Sequence, residues 1–126
     1  MKDIKSDLSN IEVLFVDDEE QTLKYLSRAF SSMCRVRLGA NVDEALAVLK
    51  ESRDVGVVVT DQVMPGARGT ELLRWVSENR PHIVRILTTA YADLNSAIES
   101  INRGEVFRFV EKPWTLPEIG RASCRE

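Results

Sequence analysis

The sequence has no excess of positive charge: its 17 Lys and Arg stand against 20 Asp and Glu, leaving a formal net charge of −3. Without a basic field, a surface cannot track a nucleic-acid backbone through many phosphate contacts, so no direct nucleic-acid partner is expected. Also missing is any apolar run of the roughly 18 to 20 residues that a membrane span needs. The opening stretch, MKDIKSDLSN, has no apolar region of the signal-peptide kind. No membrane partner is expected, and the expected location is cytoplasmic. Cysteine is scarce: Cys34 and Cys124 lie far apart and outside any metal-type spacing, and a reducing compartment would keep both as thiols. The one histidine, His82, follows Pro81 in a polar turn and reads as a solvated loop residue.

What is present suits one compact domain: 126 residues, 44% hydrophobic and 29% charged. An apolar run from Ile11 to Val16 predicts a strand, and Leu23, Leu26, Ala29, Phe30 and Met33 share one face of a following helix. Val36 and Leu38 suggest a weaker second strand, and Ala45, Leu46 and Leu49 a second helix. The run Val55 to Thr60 is almost wholly apolar, as a strand covered on both faces should be. Beyond the turn at Met64-Pro65-Gly66, Leu72, Leu73 and Val76 mark a helix that ends before Pro81, and Ile83 to Thr88 a fourth strand. Leu94, Ala97, Ile98 and Ile101 carry a clean helical spacing, with Gly104 placed to end that helix. Val106 to Val110 reads as the last strand, and Leu116 and Ile119 begin a fifth helix. Strands alternating with helices at this length imply a parallel sheet covered on both faces.

In an open parallel sheet, ligands bind beyond the carboxyl ends of the strands, where the strand order reverses. Asp17 and Asp18 end the first predicted strand, Asp61 the third and Thr89 the fourth, while Lys112 follows the fifth. Each alone could be a loop residue or a helix cap; five on one edge point to a site. Converging carboxylates repel one another unless a cation sits among them. Carboxylate oxygens suit a hard ion such as Mg²⁺, which keeps open positions for a phosphoryl group. Lys112 and the Thr89 hydroxyl are placed to bind that group's remaining oxygens, and an Asp carboxylate can itself act as the nucleophile of phosphoryl transfer.

Four strings now combine: VDDEE at 16–20, DQVMPGARG at 61–69, LTTA at 87–90 and EKPW at 111–114. In their order and spacing the chain resembles the receiver domains of two-component response regulators over nearly all of residues 11–119. The resemblance implies an α/β, flavodoxin-like, doubly wound five-stranded parallel sheet of order 2-1-3-4-5 with helices on both faces. Residues 1–10 would be an N-terminal extension, and 120–126 a tail that is either a truncation point or an expression scar. It implies Asp61 as phosphoacceptor, Mg²⁺ (or Mn²⁺) as cofactor, Asp18 and Asp61 as direct metal ligands, Asp17 as an acid acting through water, and the Val63 backbone carbonyl as a third protein ligand. Thr89 and Lys112 would contact the phosphoryl oxygens, Phe109 would be the switch aromatic, and Gly69 the small residue that lets the next helix pack. A cis peptide between Lys112 and Pro113 is expected on the same ground.

The function so implied is signalling: a sensor histidine kinase or phosphotransfer protein donates a phosphoryl group to Asp61, and a downstream effector reads the result. A homodimer through the face of the fourth helix, fifth strand and fifth helix is a further expected partner. The chain would catalyse only its own phosphorylation and dephosphorylation. Two other readings stand beside this one. A Mg²⁺-dependent phosphohydrolase would need a general acid two residues after Asp61 or a substrate-covering lid, and Val63 and the short loops supply neither. A phosphorylation-independent pseudo-receiver would not need the full set Asp17, Asp18, Asp61, Thr89 and Lys112. The bland readings are a gap-filling contact for Met64, packing for Trp114, a plain core aromatic for Phe109, and solvated positions for Arg68, Arg74 and Arg80.

By resemblance, Val63 and Tyr91 flank the path along which water attacks an aspartyl phosphate. Neither offers a group that orients water as a carboxylate or amide does, so self-dephosphorylation should be comparatively slow. Val63→Asn combined with Tyr91→Ala should hasten phosphate loss from the purified adduct in Mg²⁺; an unchanged or slower rate would mean that these side chains do not gate the water.

Overall fold

The computed structural model describes residues 10–89, 95, 98, 99, 103, 104 and 108–111, and of Arg108, Phe109 and Glu111 the backbone alone. A run of apolar residues with no polar alternation has to be covered on both faces. The first strand, β1 (Glu12–Val16), is buried throughout. It pairs in parallel with β2 (Arg35–Gly39) on one side and β3 (Val55–Asp61) on the other, and β3 pairs with β4 (Val84–Thr89). The strands therefore run β2-β1-β3-β4, and the backbone of β5 (Arg108–Glu111) pairs along β4 at the far edge.

Successive side chains of a strand point to opposite faces, and two cores follow from that. Val13, Phe15, Val57, Val59 and Ile86 pack with Leu23, Leu26 and Phe30 of helix α1 (Glu20–Phe30). On the other face Leu14, Val16, Val58 and Leu87 pack with Ala45 and Leu49 of α2 (Val42–Glu51) and with Leu72, Leu73 and Val76 of α3 (Gly69–Asn79). Full burial of one such side chain is worth about 1.5–3 kcal/mol. The Phe15 and Phe30 rings meet at 5.2 Å with a tilt of 44°, a favourable offset geometry. Met64 is buried in the second core, as its gap-filling reading required.

Among the described residues the expected helices and strands are met with two differences; Val106 and the expected fifth helix lie outside them. The first helix stops at Phe30, because the Phe30 carbonyl accepts the N–H groups of both Met33 (2.9 Å) and Cys34 (3.0 Å) and turns the chain into β2. Met33 still packs on the first core. In the fourth helical pattern, Asn95, Ile98 and Glu99 are helical, but Ile98, expected on the buried face, is 42% exposed; a single apolar residue at the surface is common. Leu94, Ala97 and Ile101 lie outside the described residues. Gly104, expected to end that helix, has φ +75°, the left-handed conformation that glycine adopts without strain.

Polar groups close the amino-terminal end of the sheet. Glu12 is buried, where the Ser52 hydroxyl donates to it at 2.6 Å and Arg37 approaches at 3.8 Å. Arg85 donates to the carbonyls of Pro81 (3.1 Å), Ile83 (3.3 Å) and Gly104 (3.2 Å), tying β4 to the turn at Gly104. Burial raises the Cys34 pKa, so its thiol stays protonated; it sits 3.6 Å from the Phe30 carbonyl as a structural residue. His82 is exposed in its turn, Arg68 and Arg74 are exposed and Arg80 is half-buried. No helix among the described residues is long and apolar enough to cross a membrane.

At the start of α3, Gly69 lies against the end of β3. A Cβ added there would overlap the Asp61 carbonyl oxygen and stand 3.2 Å from the Gln62 Cα. Both obstacles are backbone, so neither can move aside cheaply. Gly69→Ala should therefore lower stability by about 1–3 kcal/mol, the usual cost of overpacking, although Ala is the better helix former. A urea titration reads this as a lower midpoint; an unchanged or higher midpoint would show that α3 is free to withdraw.

Candidate functional site

The parallel register sets Val16 opposite Thr60, so Asp17 and Asp61 leave neighbouring strands at the same edge. Carboxylate oxygens of Asp17, Asp18 and Asp61 all lie within 4.8 Å of one another. Asp17 and Asp61 are 4% and 9% exposed, whereas Asp18 is open to solvent. The edge is the one where the strand order reverses, since β1 is followed by β2 on one side and by β3 on the other.

Local hydrogen bonds orient the acids. The Glu19 N–H donates to Asp17 Oδ1 at 2.9 Å, and the Asp17 N–H donates to the Gly39 carbonyl at 3.1 Å, which holds the turn from β1 into α1. The Gln62 N–H donates to Asp61 Oδ1 at 2.9 Å and lies 3.2 Å from the Thr88 carbonyl. Asp61 is thereby fixed in rotation at the end of β3. Thr89 ends β4 and is fully buried. Its neighbour Thr88 turns its hydroxyl to the Thr60 carbonyl at 3.4 Å.

Two buried carboxylates within 4.8 Å repel by roughly 3 kcal/mol at an effective dielectric constant near 20. A divalent cation would convert that repulsion into attraction. The donor set fits a hard ion: all three donors are oxygens, and octahedral Mg²⁺ at 2.0–2.1 Å from its ligands holds them about 3–4 Å apart. Two buried acids and one exposed acid also leave an outward side on which water or phosphoryl oxygens can bind. Manganese suits the same oxygen donors.

The described residues thus bring together Asp17, Asp18 and Asp61, with Thr89 on the adjoining strand. Val63 follows two residues after Asp61, with 58% of its surface exposed, at the rim and not in the core. Of Phe109 the backbone alone is described, paired opposite Leu87. Tyr91, Lys112, the Lys112–Pro113 peptide, Trp114, Leu116, Ile119 and Cys124 lie outside the described residues. One residue of the site went unsuspected in the sequence. Gln62 is completely buried beside Asp61, and its Oε1 accepts the N–H of Thr70 at 2.9 Å. A polar residue after a strand normally reads as loop, so no signal in the sequence marks Gln62.

Comparison with known proteins agrees with this geometry. The family model described as response regulator receiver domain matches residues 13–122. The hydrogenase transcriptional regulatory protein HoxA of Cupriavidus necator is 38% identical over 102 residues, covering 81% of this chain and 21% of that protein. The transcriptional regulatory protein FixJ of Rhizobium meliloti is 33% identical over 121 residues, covering 92% of this chain and 58% of that protein. The chain thus spans about a fifth of HoxA and somewhat more than half of FixJ. Among solved structures, a response regulator receiver domain protein from Clostridium thermocellum superposes with a TM-score of 0.84 at 28% identity, over 89% of this chain and 90% of that one.

Asp18 is the exposed member of the three acids, so its removal should spare the fold while weakening metal binding. Asp18→Ala should lower Mg²⁺ affinity by about tenfold or more, since even second-sphere changes commonly cost that much. Titration calorimetry of the two proteins measures the difference, and parent affinity in the variant would remove Asp18 from the ligand set.

Proposed function

The chain belongs to the response regulator receiver domain family, and on that premise we propose that Asp61 takes a phosphoryl group from a phosphohistidine of a sensor kinase or phosphotransfer protein. A receiver domain is a signalling module and not an enzyme that turns over an external substrate. The observation that carries the reading is the convergence of Asp17, Asp18 and Asp61 at one strand edge.

A carboxylate oxygen of Asp61 attacks phosphorus in line, the P–O bond forms as the P–N bond to the donor imidazole breaks, and the electron pair leaves with that imidazole. Asp18, Asp61 and the Val63 carbonyl would hold the metal directly, and Asp17 would act on it through water. Bound Mg²⁺ or Mn²⁺ supplies charge neutralisation for the transferring oxygens. The Gln62 N–H holds the nucleophile's rotation, which lowers the entropic part of the barrier. Thr89, at the end of the adjoining strand, donates its hydroxyl to a phosphoryl oxygen, and Lys112 pairs with another.

In this reading Thr89 shifts toward the phosphoryl group and Phe109 fills the space it leaves, which biases a pre-existing two-state equilibrium. The receiver unit runs over 11–119, between an N-terminal extension and a tail, as a five-stranded doubly wound sheet. The whole protein acts in the cytoplasm through a downstream effector, with a homodimer across the face of the fourth helix, fifth strand and fifth helix as one way to transmit the change. The exposed, apolar Val63 has no proton to give to a leaving group, which sets this site apart from a phosphohydrolase.

Incubation with Mg²⁺ and acetyl phosphate should give a base-labile adduct with the phosphoryl mass increment in intact-mass spectra. Asp61→Asn should fold and give none, because the amide keeps the shape but lacks the anionic nucleophile. A labelled Asn variant would move the phosphoacceptor elsewhere, and an unlabelled parent would make the domain a phosphorylation-independent interaction module.

A further inference from the structure

Gln62 uses both its main chain and its side chain to join the phosphoacceptor strand to α3. Its N–H serves Asp61 Oδ1 at 2.9 Å, its carbonyl accepts the Gly69 N–H at 3.0 Å, and its Oε1 accepts the Thr70 N–H at 2.9 Å. The last two bonds satisfy donors at the start of α3 that no intrahelical carbonyl reaches, a task the residue preceding the helix, Arg68, does not perform with its side chain. The segment closed by these bonds carries Val63, Met64 and the Pro65-Gly66 turn, with Gly66 at φ +93°. One side chain thus braces the loop from within.

Stability alone gives a poor reason for Gln62. The side chain has no exposed surface, and its Nε2 meets no acceptor among the described residues. Leaving a buried donor unmatched costs more than an ordinary buried hydrogen bond returns, and ordering a glutamine loses more side-chain entropy than ordering an aliphatic residue. An unsatisfied polar group one residue from a reacting carboxylate is where a local rule gives way to function.

We propose that Gln62 is a positioning residue for phosphoryl transfer: through its bond to the Thr70 N–H it holds the loop after Asp61, and with it the Asp61 carboxylate and the Val63 carbonyl, in the arrangement that metal binding and attack require. The inference rests on the reading of Asp61 as the phosphoacceptor. Small displacements of a reacting group are expensive in rate, so the effect should appear in the chemistry before it appears in the fold.

The test compares Gln62→Met, which keeps length but loses the acceptor, with Gln62→Glu, which restores an oxygen to accept from Thr70. In Gln62→Met the thermal midpoint should stay within about 3 °C of the parent. Phosphorylation by acetyl phosphate at saturating Mg²⁺ should slow by about tenfold or more, and Mg²⁺ affinity in calorimetry should fall. Gln62→Glu should recover most of the rate. A parent-like rate in Gln62→Met overturns the proposal, as does a joint fall of midpoint and rate that Gln62→Glu does not rescue. If Gln62→Met does not fold, amide exchange in the parent decides: a protected Thr70 N–H upholds the bond, and an unprotected one overturns it. A parent that takes no phosphoryl group fails the functional reading instead, so the two failures are distinct.

Discussion

The parallel pairing of β1 with β3 is the contact on which the rest of the molecule depends. It places Asp17 and Asp61 side by side, where their charges push the strand ends apart. That repulsion is resisted by the two cores, which grip alternate residues of the same strands from opposite faces: Phe15 and Val59 below α1, Leu14 and Val58 beneath α2 and α3. Because neighbouring strands run the same way, every carboxyl end falls on one edge, and the acids collect there. The amino-terminal edge is left for polar groups with structural duties, such as Glu12 with Ser52 and Arg37. Rigidity of the strands is what gathers three ordinary aspartates into a preformed cluster that could hold a cation.

How much of this could be read from the sequence follows from what periodicity measures. It reports burial, so β1, β3 and β4, covered on both faces, stood out as continuous apolar runs. The edge strand β2 leaves Arg35 and Leu38 exposed and gave a weaker pattern; charged residues on an edge also discourage pairing with another chain. The same logic explains Met33, which packs on the core without being helical: its side chain obeys the helical period while its N–H already belongs to a turn. Ile98 is the opposite case, a residue in good helical register that is itself exposed.

The acids of the site were legible because a rule about parallel sheets converts position along the chain into position in space. Asp17, Asp61 and Thr89 each end a recognisable strand, and that alone puts them together. No comparable rule reaches Gln62, Glu12 or Arg85. The most distant hydrogen-bond partners of their side chains, Thr70, Ser52 and Gly104, lie 8, 40 and 19 residues away, respectively. A polar residue turned inward looks, in one dimension, like a polar residue turned outward. Gly69 lies between the two cases: the motif flagged a small residue, but the contact with the Asp61 carbonyl that demands it is purely three-dimensional.

The tethers around Asp61 also bear on how a signal would leave the site. On the α3 side the end of β3 is held by the Gly69 backbone contact, by the Gln62 bonds to Gly69 and Thr70, and by Leu72 and Leu73 in the second core. Close-packed backbone does not deform gradually, so a phosphoryl group on Asp61 would press against a side that has little room to yield. A ligand shifts a two-state equilibrium only through contacts that differ between the states. On the proposed chemistry those differential contacts must therefore be made on the opposite side, by Thr89 at the end of β4 and by the chain that follows it toward β5. On that chemistry, the firm packing on the α3 side of the Asp61 carboxylate would turn the response toward Thr89.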